Sequence, residues 1–280
     1  MCSQDSEQLN QELVQGAAPA QRCCRSYQGG DVTRRTVAAA PQTYARLGGI
    51  LYLFIIVVGI FGELVVRGGL IVEGDAAATA HNILGSETLF RAGLAGDILG
   101  YVASIAVAMI LYVLLEPVSR NLALLSAFLT ITANAIFGLN GLFHLAAVVV
   151  LGDADDLTGF DPQQVQALAY LSLRLHGYGF AIGLIFFGFF LVLLGYLIYR
   201  SGYLPRSLGV LLVVGGLGYL TNSFAQLLAP ALAASLLPWV LLPPFLAELG
   251  LALWLTVKGV NVPKWEEQAQ GQAKIQPILG

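Results

Sequence analysis

The fold turns on Ala45-Arg-Leu-Gly-Gly-Ile-Leu-Tyr-Leu-Phe-Ile-Ile-Val-Val-Gly-Ile-Phe-Gly-Glu-Leu-Val-Val66. No charged residue stands between Arg46 and Glu63, and about 20 apolar residues cross the hydrocarbon core of a bilayer. The run leaves lipid through Gly62-Glu63-Leu64-Val65-Val66-Arg67-Gly68-Gly69, where charge returns. Charges beside lipid are costly unless paired, solvated or used. The same solvent suits the whole chain of 280 residues, which is 57% hydrophobic and 11% charged with a mean hydropathy of +0.75. A soluble domain carries about 25% charged residues. The net charge of −3 offers none of the basic surface that nucleic acid requires, so nucleic acid is excluded as a partner.

Five further apolar runs follow. The second, Leu89 to Leu115, comes after Ser86 and Glu87, residues suited to a helix cap and first turn. The third, Asn121 to Leu151, is longer than a span needs and predicts tilt or a bend near Gly138 and Gly141. Asp161-Pro162 opens the fourth as N-cap and N1 proline. That run continues to Tyr199, its first turns standing outside the lipid or at its surface. The fifth is Ser207 to Leu228, and the sixth is Trp239 to Lys258. Pro243-Pro244 in the sixth means that the helix proper begins there or is broken there, because proline removes a backbone donor. Between the first two runs, Asp75 is placed to cap a short helix from Ala76 to Leu84, ended by Gly85. Ala76, Ala80, Ile83 and Leu84 would form its apolar face.

The fold class that follows is all-α, a polytopic bundle of six transmembrane helices with a short extracytoplasmic helix. Residues 1–42 lack periodicity and read as a disordered cytoplasmic tail, 43–259 form the transmembrane domain, and 260–280 form a second cytoplasmic tail. Cys2, Cys23 and Cys24 all lie in the first tail and read as ordinary thiols, with no disulfide framework. Arg22, Arg25, Arg34, Arg35, Arg46, Arg120, Arg200, Arg206, Lys258, Lys264 and Lys274 fall on one side of the membrane. Arg67, Arg91 and Arg174 fall on the other, among most of the loop acids. The positive-inside rule puts both termini in the cytoplasm.

Depth then sorts the polar residues. Glu63 ends the first run, while Arg91 and Asp97 begin the second. Asn140 and His144 come late in the third, and Arg174 and His176 early in the fourth. Asn222 and Gln226 come late in the fifth, and Glu248 early in the sixth. Nearly all therefore fall in the outer half, above almost wholly apolar inner halves. Asp97, Tyr101 and Ser104 form one helical stripe; Asn140 and His144 share a face, as do Tyr170, Arg174 and Tyr178. Asp97, Arg174 and Glu248 are expected to face the interior, with Arg174 paired to Asp97 or Glu248. The candidate polar cavity is Asp97, Tyr101, Asn140, His144, Arg174, His176, Asn222 and Glu248, open outward above an apolar plug. Its rim is Glu63, Arg67 and Arg91, where Glu63 and Arg67 read as an i, i+4 salt bridge at a helix end.

Three function classes stay open. Buried polar groups tie membrane helices together in a non-catalytic scaffold, or they line a permease or binding site for a small solute or ion. They also serve enzymes acting at the outer leaflet. His81, His144 and His176 are all external, but no two have ligand spacing on one helix and His-Glu-x-x-His is absent, so no metal and no cofactor is assigned. His81 reads as a solvated surface residue. Gly179, Gly183, Gly195, Gly209, Gly215, Gly216 and Gly218 serve close helix packing, since no Gly-rich stretch ends in Lys-Ser or Lys-Thr. The lipid bilayer is the one partner assigned, and the sequence leaves the oligomeric state open.

Several stretches also carry a resemblance. They include Leu47-Gly-Gly-Ile-Leu-Tyr-Leu, Gly62-Glu-Leu-Val-Val-Arg-Gly, Gly74-Asp-Ala-Ala-Ala-Thr-Ala and Glu116-Pro-Val-Ser-Arg-Asn-Leu-Ala. His176-Gly-Tyr-Gly, Gly195-Tyr-Leu-Ile-Tyr-Arg-Ser-Gly-Tyr-Leu-Pro-Arg and Leu208-Gly-Val-Leu-Leu complete the set. Together they resemble the bacterial integral membrane family known as domain of unknown function 4386, from about Ala45 to Lys258. The resemblance implies a polytopic protein of the bacterial plasma membrane and brings no activity or site residue with it.

Overall fold

Local signals set the helix boundaries. In the computed structural model, which describes residues 41–152, 159–237 and 239–275, six apolar helices are long enough to span a membrane. They are α1 (Pro41–Leu70), α3 (Glu87–Leu115), α4 (Arg120–Gly152), α5 (Pro162–Ser201), α6 (Arg206–Leu228) and α8 (Leu242–Val257), the last entered through a 3-10 turn at Trp239–Leu241. Short helices α2 (Ala76–Gly85) and α7 (Pro230–Leu236) lie between spans, and α9 (Val262–Ile275) follows the last. The described residues contain no strand, so the protein is an all-α, multi-pass membrane bundle. The reading of residues 1–40 as a disordered tail lies outside the described residues.

The caps work as their chemistry dictates. Asp161 Oδ1 accepts from Gln164 N–H at 2.9 Å while Gln164 Oε1 accepts from Asp161 N–H at 3.0 Å. This reciprocal box opens α5, whose 40 residues rise roughly 60 Å, about twice the hydrocarbon core. Asp75 Oδ1 accepts from Ala78 N–H at 2.9 Å and opens α2. That helix buries Thr79, Ala80 and Ile83 against α4 and α5, leaving Leu84 exposed rather than on the packed face. α4 is α-helical throughout, Gly138 and Gly141 included, and α8 begins at its two prolines. The irregular helix is α1, where Phe61–Arg67 is a π-helix.

Each spanning helix packs on its neighbours in the chain, and α8 returns to α1, closing a ring. Neighbours run antiparallel: Gly62 meets Asp97, Gly141 meets Leu94, Gly183 meets Phe137 and Gly49 meets Thr256. Lipid tails are as apolar as the side chains, so close backbone approach carries much of this packing. Between α5 and α6 it is reciprocal. A Cβ on Gly195 would lie 2.5 Å from the Gly209 carbonyl oxygen, and one on Gly209 would lie 2.6 Å from that of Gly195.

One end of the ring is closed by a large apolar cluster that includes Leu114, Leu191, Leu194, Leu212, Leu251 and Leu255. The last turn of α3 is fastened there twice, because Leu114 O accepts from Tyr203 Oη at 2.6 Å and from Trp265 Nε1 at 2.9 Å. Burial raises the Tyr203 phenol above its ordinary pKa, so the hydroxyl stays a donor. The start of α1 and the end of α8 meet at this same end, where Gln42 Nε2 donates to Lys258 O at 2.8 Å and Gln42 Oε1 accepts from Val260 N–H at 3.0 Å.

Candidate functional site

Above the apolar cluster the ring encloses a cavity of about 540 Å³ to which all six spanning helices contribute. Its wall is largely aliphatic and aromatic, including Ile55, Ile56, Phe137, Phe180, Leu184, Phe187 and Phe245. Its charged groups are few and belong to two separate settings, while Ser104, Thr130 and Asn134 add neutral polar groups, Asn134 Nδ2 donating to Ser104 Oγ at 2.9 Å. Tyr52 and Glu63, which mark the two settings on α1, are roughly 16 Å apart along the helix rise.

The first setting joins α1 to α3. Asp97 is 6% exposed, and its Oδ2 accepts from Arg67 Nη1 at 2.7 Å. Arg67 Nε donates to Glu63 Oε2, also at 2.7 Å, so one guanidinium serves two carboxylates. Glu63 and Arg67 both lie in the π-helix. The Gly68 N–H bonds to the Glu63 carbonyl, five residues back, and the wider turn changes where later side chains point. Gly62 supplies the space, because a Cβ there would lie 2.6 Å from Asp97 Oδ1 and 2.9 Å from Arg67 Nη2. Tyr101, one turn along α3, lines the cavity and stacks on Phe137 with ring centroids 5.6 Å apart.

The second setting joins α1, α6 and α8. Glu248 is 9% exposed; Tyr219 Oη donates to its Oε1 at 2.7 Å, and Tyr52 Oη donates to its Oε2 at 3.1 Å. Among the described residues, no Lys, Arg or His makes an ion pair with this carboxylate. Glu248 lies one helical turn after Pro244 in α8. Tyr52 and Tyr219 were not singled out by the sequence reading. A signal existed for Tyr52, which precedes Glu63 by about three helical turns and so lies on the same side of α1.

The remaining sequence candidates divide. Asp97, Tyr101 and Glu248 line the cavity, together with Glu63 from the rim set. Asn140, His144, His176 and Asn222 are buried but do not line it. Asn140 Nδ2 donates to His176 O at 2.8 Å. His144 stacks on Phe90 at 3.9 Å between centroids, with Nε2 3.1 Å from Phe90 O. These groups tie α4 to α5 and α3. Arg174 is exposed and pairs with neither Asp97 nor Glu248, which corrects the expected interior ion pair; helical spacing fixes relative, not absolute, direction. Arg91 is held by Glu87 at 2.7 Å on an exposed part of α3, outside the cavity wall.

The cavity can hold a small, mostly apolar molecule and address it with three carboxylates in two electrostatic settings. Sequence comparison finds a protein of Archaeoglobus fulgidus, named as an uncharacterized protein, that is 32% identical over 166 residues. The match covers 59% of this chain and 83% of that protein. No solved structure matches. A family model described as "Domain of unknown function (DUF4386)" matches residues 47–259, and the chain belongs to that family.

Proposed function

We propose that this protein is a membrane permease or binding protein that takes a small solute into the centre of its helix ring. The observation that carries this reading is the 540 Å³ cavity with a buried carboxylate in its wall. Its size lies within the roughly 300–1,000 Å³ of small-molecule sites, which combine apolar walls with a few placed polar groups. A scaffold would gain nothing from leaving this space unfilled, since cavities in a core cost stability. We further place the end closed by the apolar cluster in the cytoplasm. Arg46, Arg120, Arg200, Arg206 and Lys258 gather towards that end, which the positive-inside rule favours. The cavity then faces the outer half of the membrane.

The test uses full-length protein in nanodiscs and thermal midpoints measured against a panel of amines, carboxylates, sugars and aromatic alcohols. At least one class should raise the midpoint, because a ligand bound only by the folded state stabilises it by mass action. Gly59→Phe should abolish that rise. Gly59 lines the cavity and a Cβ there meets nothing within 4 Å, so the ring fills empty space. Wild-type protein indifferent to every class would return the cavity to a scaffold role.

A further inference from the structure

We infer that the ligand of this cavity is a singly charged organic cation with an apolar body, an alkyl or arylalkyl ammonium, received from the bilayer between α1 and α8. The inference rests on the proposed solute-binding role of the cavity and adds the charge of the ligand, its shape and its route.

Charge comes first. Glu63, Asp97 and Glu248 all line the cavity, and among the described residues the cation paired to any of them is Arg67. Arg67 is committed at 2.7 Å to both Glu63 and Asp97, so it cannot also neutralise Glu248. With all groups ionised, three carboxylates against one guanidinium leave the site net negative. An anionic solute would meet repulsion there, strengthened by the apolar surroundings.

Glu248 itself is built to receive a cation. Tyr52 and Tyr219 each give it one hydrogen bond, and an ionised carboxylate has about four lone-pair sites. When Glu248 is ionised, the phenols satisfy two of these and bring no positive charge of their own. Their rings and that of Phe187, 6.0 Å from Tyr219 between centroids, line the same wall, and aromatic rings attract an ammonium group more strongly when it is desolvated. The aromatic and aliphatic wall described above suits the hydrocarbon body.

The route follows from how α1 and α8 meet. Near the closed end they touch directly, since a Cβ on Gly49 would lie 2.5 Å from Thr256 N. Towards the other end the wall is formed by Ile60, Leu64 and Phe245, which are also 40%, 69% and 40% exposed. Residues of neighbouring helices that line the cavity and are also this exposed mark a lateral mouth, and around a spanning segment the outside is lipid. Glu63, with its side chain 62% exposed, stands beside Leu64 at the polar end of that mouth.

The experiment is equilibrium dialysis of radiolabelled 4-phenylbutylamine, 4-phenylbutanol and 4-phenylbutyrate at pH 7 against the full chain in nanodiscs, with empty nanodiscs subtracting lipid partition. The amine should bind at least about tenfold more tightly than the alcohol and the carboxylate. Glu248→Gln should remove that preference, and Tyr219→Phe, which keeps the carboxylate, should retain it. Alcohol binding equal to the amine, or an amine preference that survives Glu248→Gln, overturns the cation assignment and leaves the cavity role standing. No retention of any probe above empty nanodiscs overturns both. Loss of the preference in Glu248→Gln and Tyr219→Phe alike also overturns the assignment, because the charge would then not be what selects the ligand.

Discussion

Asp97 and Glu248 are both buried carboxylates on one cavity wall, yet they solve the cost of burial in opposite ways. Asp97 takes a full positive charge from Arg67 and becomes part of the joint between α1 and α3. Glu248 takes two neutral phenols and, among the described residues, has no cation paired to it. The first arrangement spends its electrostatics on holding helices together; the second leaves them available to a ligand. A polar residue inside a membrane is therefore assigned by its partner's charge more than by its own depth.

The largest expected effect breaks the first arrangement. Arg67→Met leaves Asp97 buried without a cation and should destabilise the protein by about 3–5 kcal/mol, as for other buried pairs that lose one partner. Reversible unfolding in mixed micelles measures it. Removing Asp97 as well, in Arg67→Met/Asp97→Leu, should recover much of the loss. A double variant as unstable as the single one would mean that Arg67 acts through its packing and not through the ion pair.

Next comes Gly62→Ala. The added Cβ points at Asp97 Oδ1 and Arg67 Nη2, both at the ends of side chains that can move, so the pair must swing aside. Overpacking of this kind costs about 1–3 kcal/mol. The loss should vanish in an Arg67→Met/Asp97→Ala background, where neither of the struck atoms remains, if the pair is what the methyl group strikes.

The same contrast explains what the sequence could convey. Spans and caps were legible because they depend on contiguous residues: a long apolar run requires lipid, and Asp161 with Gln164 is a complete cap within four positions. The Asp97, Tyr101 and Ser104 stripe was also legible, since one regular helix relates them, and all three line the cavity. The partner of Asp97 was not. Depth counting set Arg174 opposite it, but depth fixes one coordinate and leaves rotation about the helix axis free. Arg67 was placed on the rim as the i, i+4 partner of Glu63; that bond forms, but the same guanidinium also reaches Asp97 on another helix. The Glu248 site needed the closure of α8 onto α1, a contact between positions 52 and 248 that no local pattern records.

The second arrangement gives smaller effects. Tyr219→Phe and Tyr52→Phe each remove one hydrogen bond while Glu248 keeps the other, and each should cost about 1 kcal/mol. Tyr219→Phe should cost more, since its bond is 2.7 Å against 3.1 Å. Equal costs, measured by the same unfolding assay, would mean that the two phenols share the carboxylate evenly.

The smallest effect probes the border between the two arrangements. Glu63 touches the same guanidinium as Asp97, but its side chain is 62% exposed against 7% for Asp97. Exposed ion pairs contribute only about 0.2–1 kcal/mol, and salt screens them where it barely reaches a buried pair. Glu63→Gln should therefore lower stability by a few tenths of a kcal/mol at low ionic strength, with the difference fading in about 0.5 M salt. Arg67→Met should remain costly at both concentrations. If Glu63→Gln instead destabilises as much as Arg67→Met and resists salt, the three charges form one buried unit. Glu63 would then belong to the joint between α1 and α3 and not to the polar end of the mouth between α1 and α8.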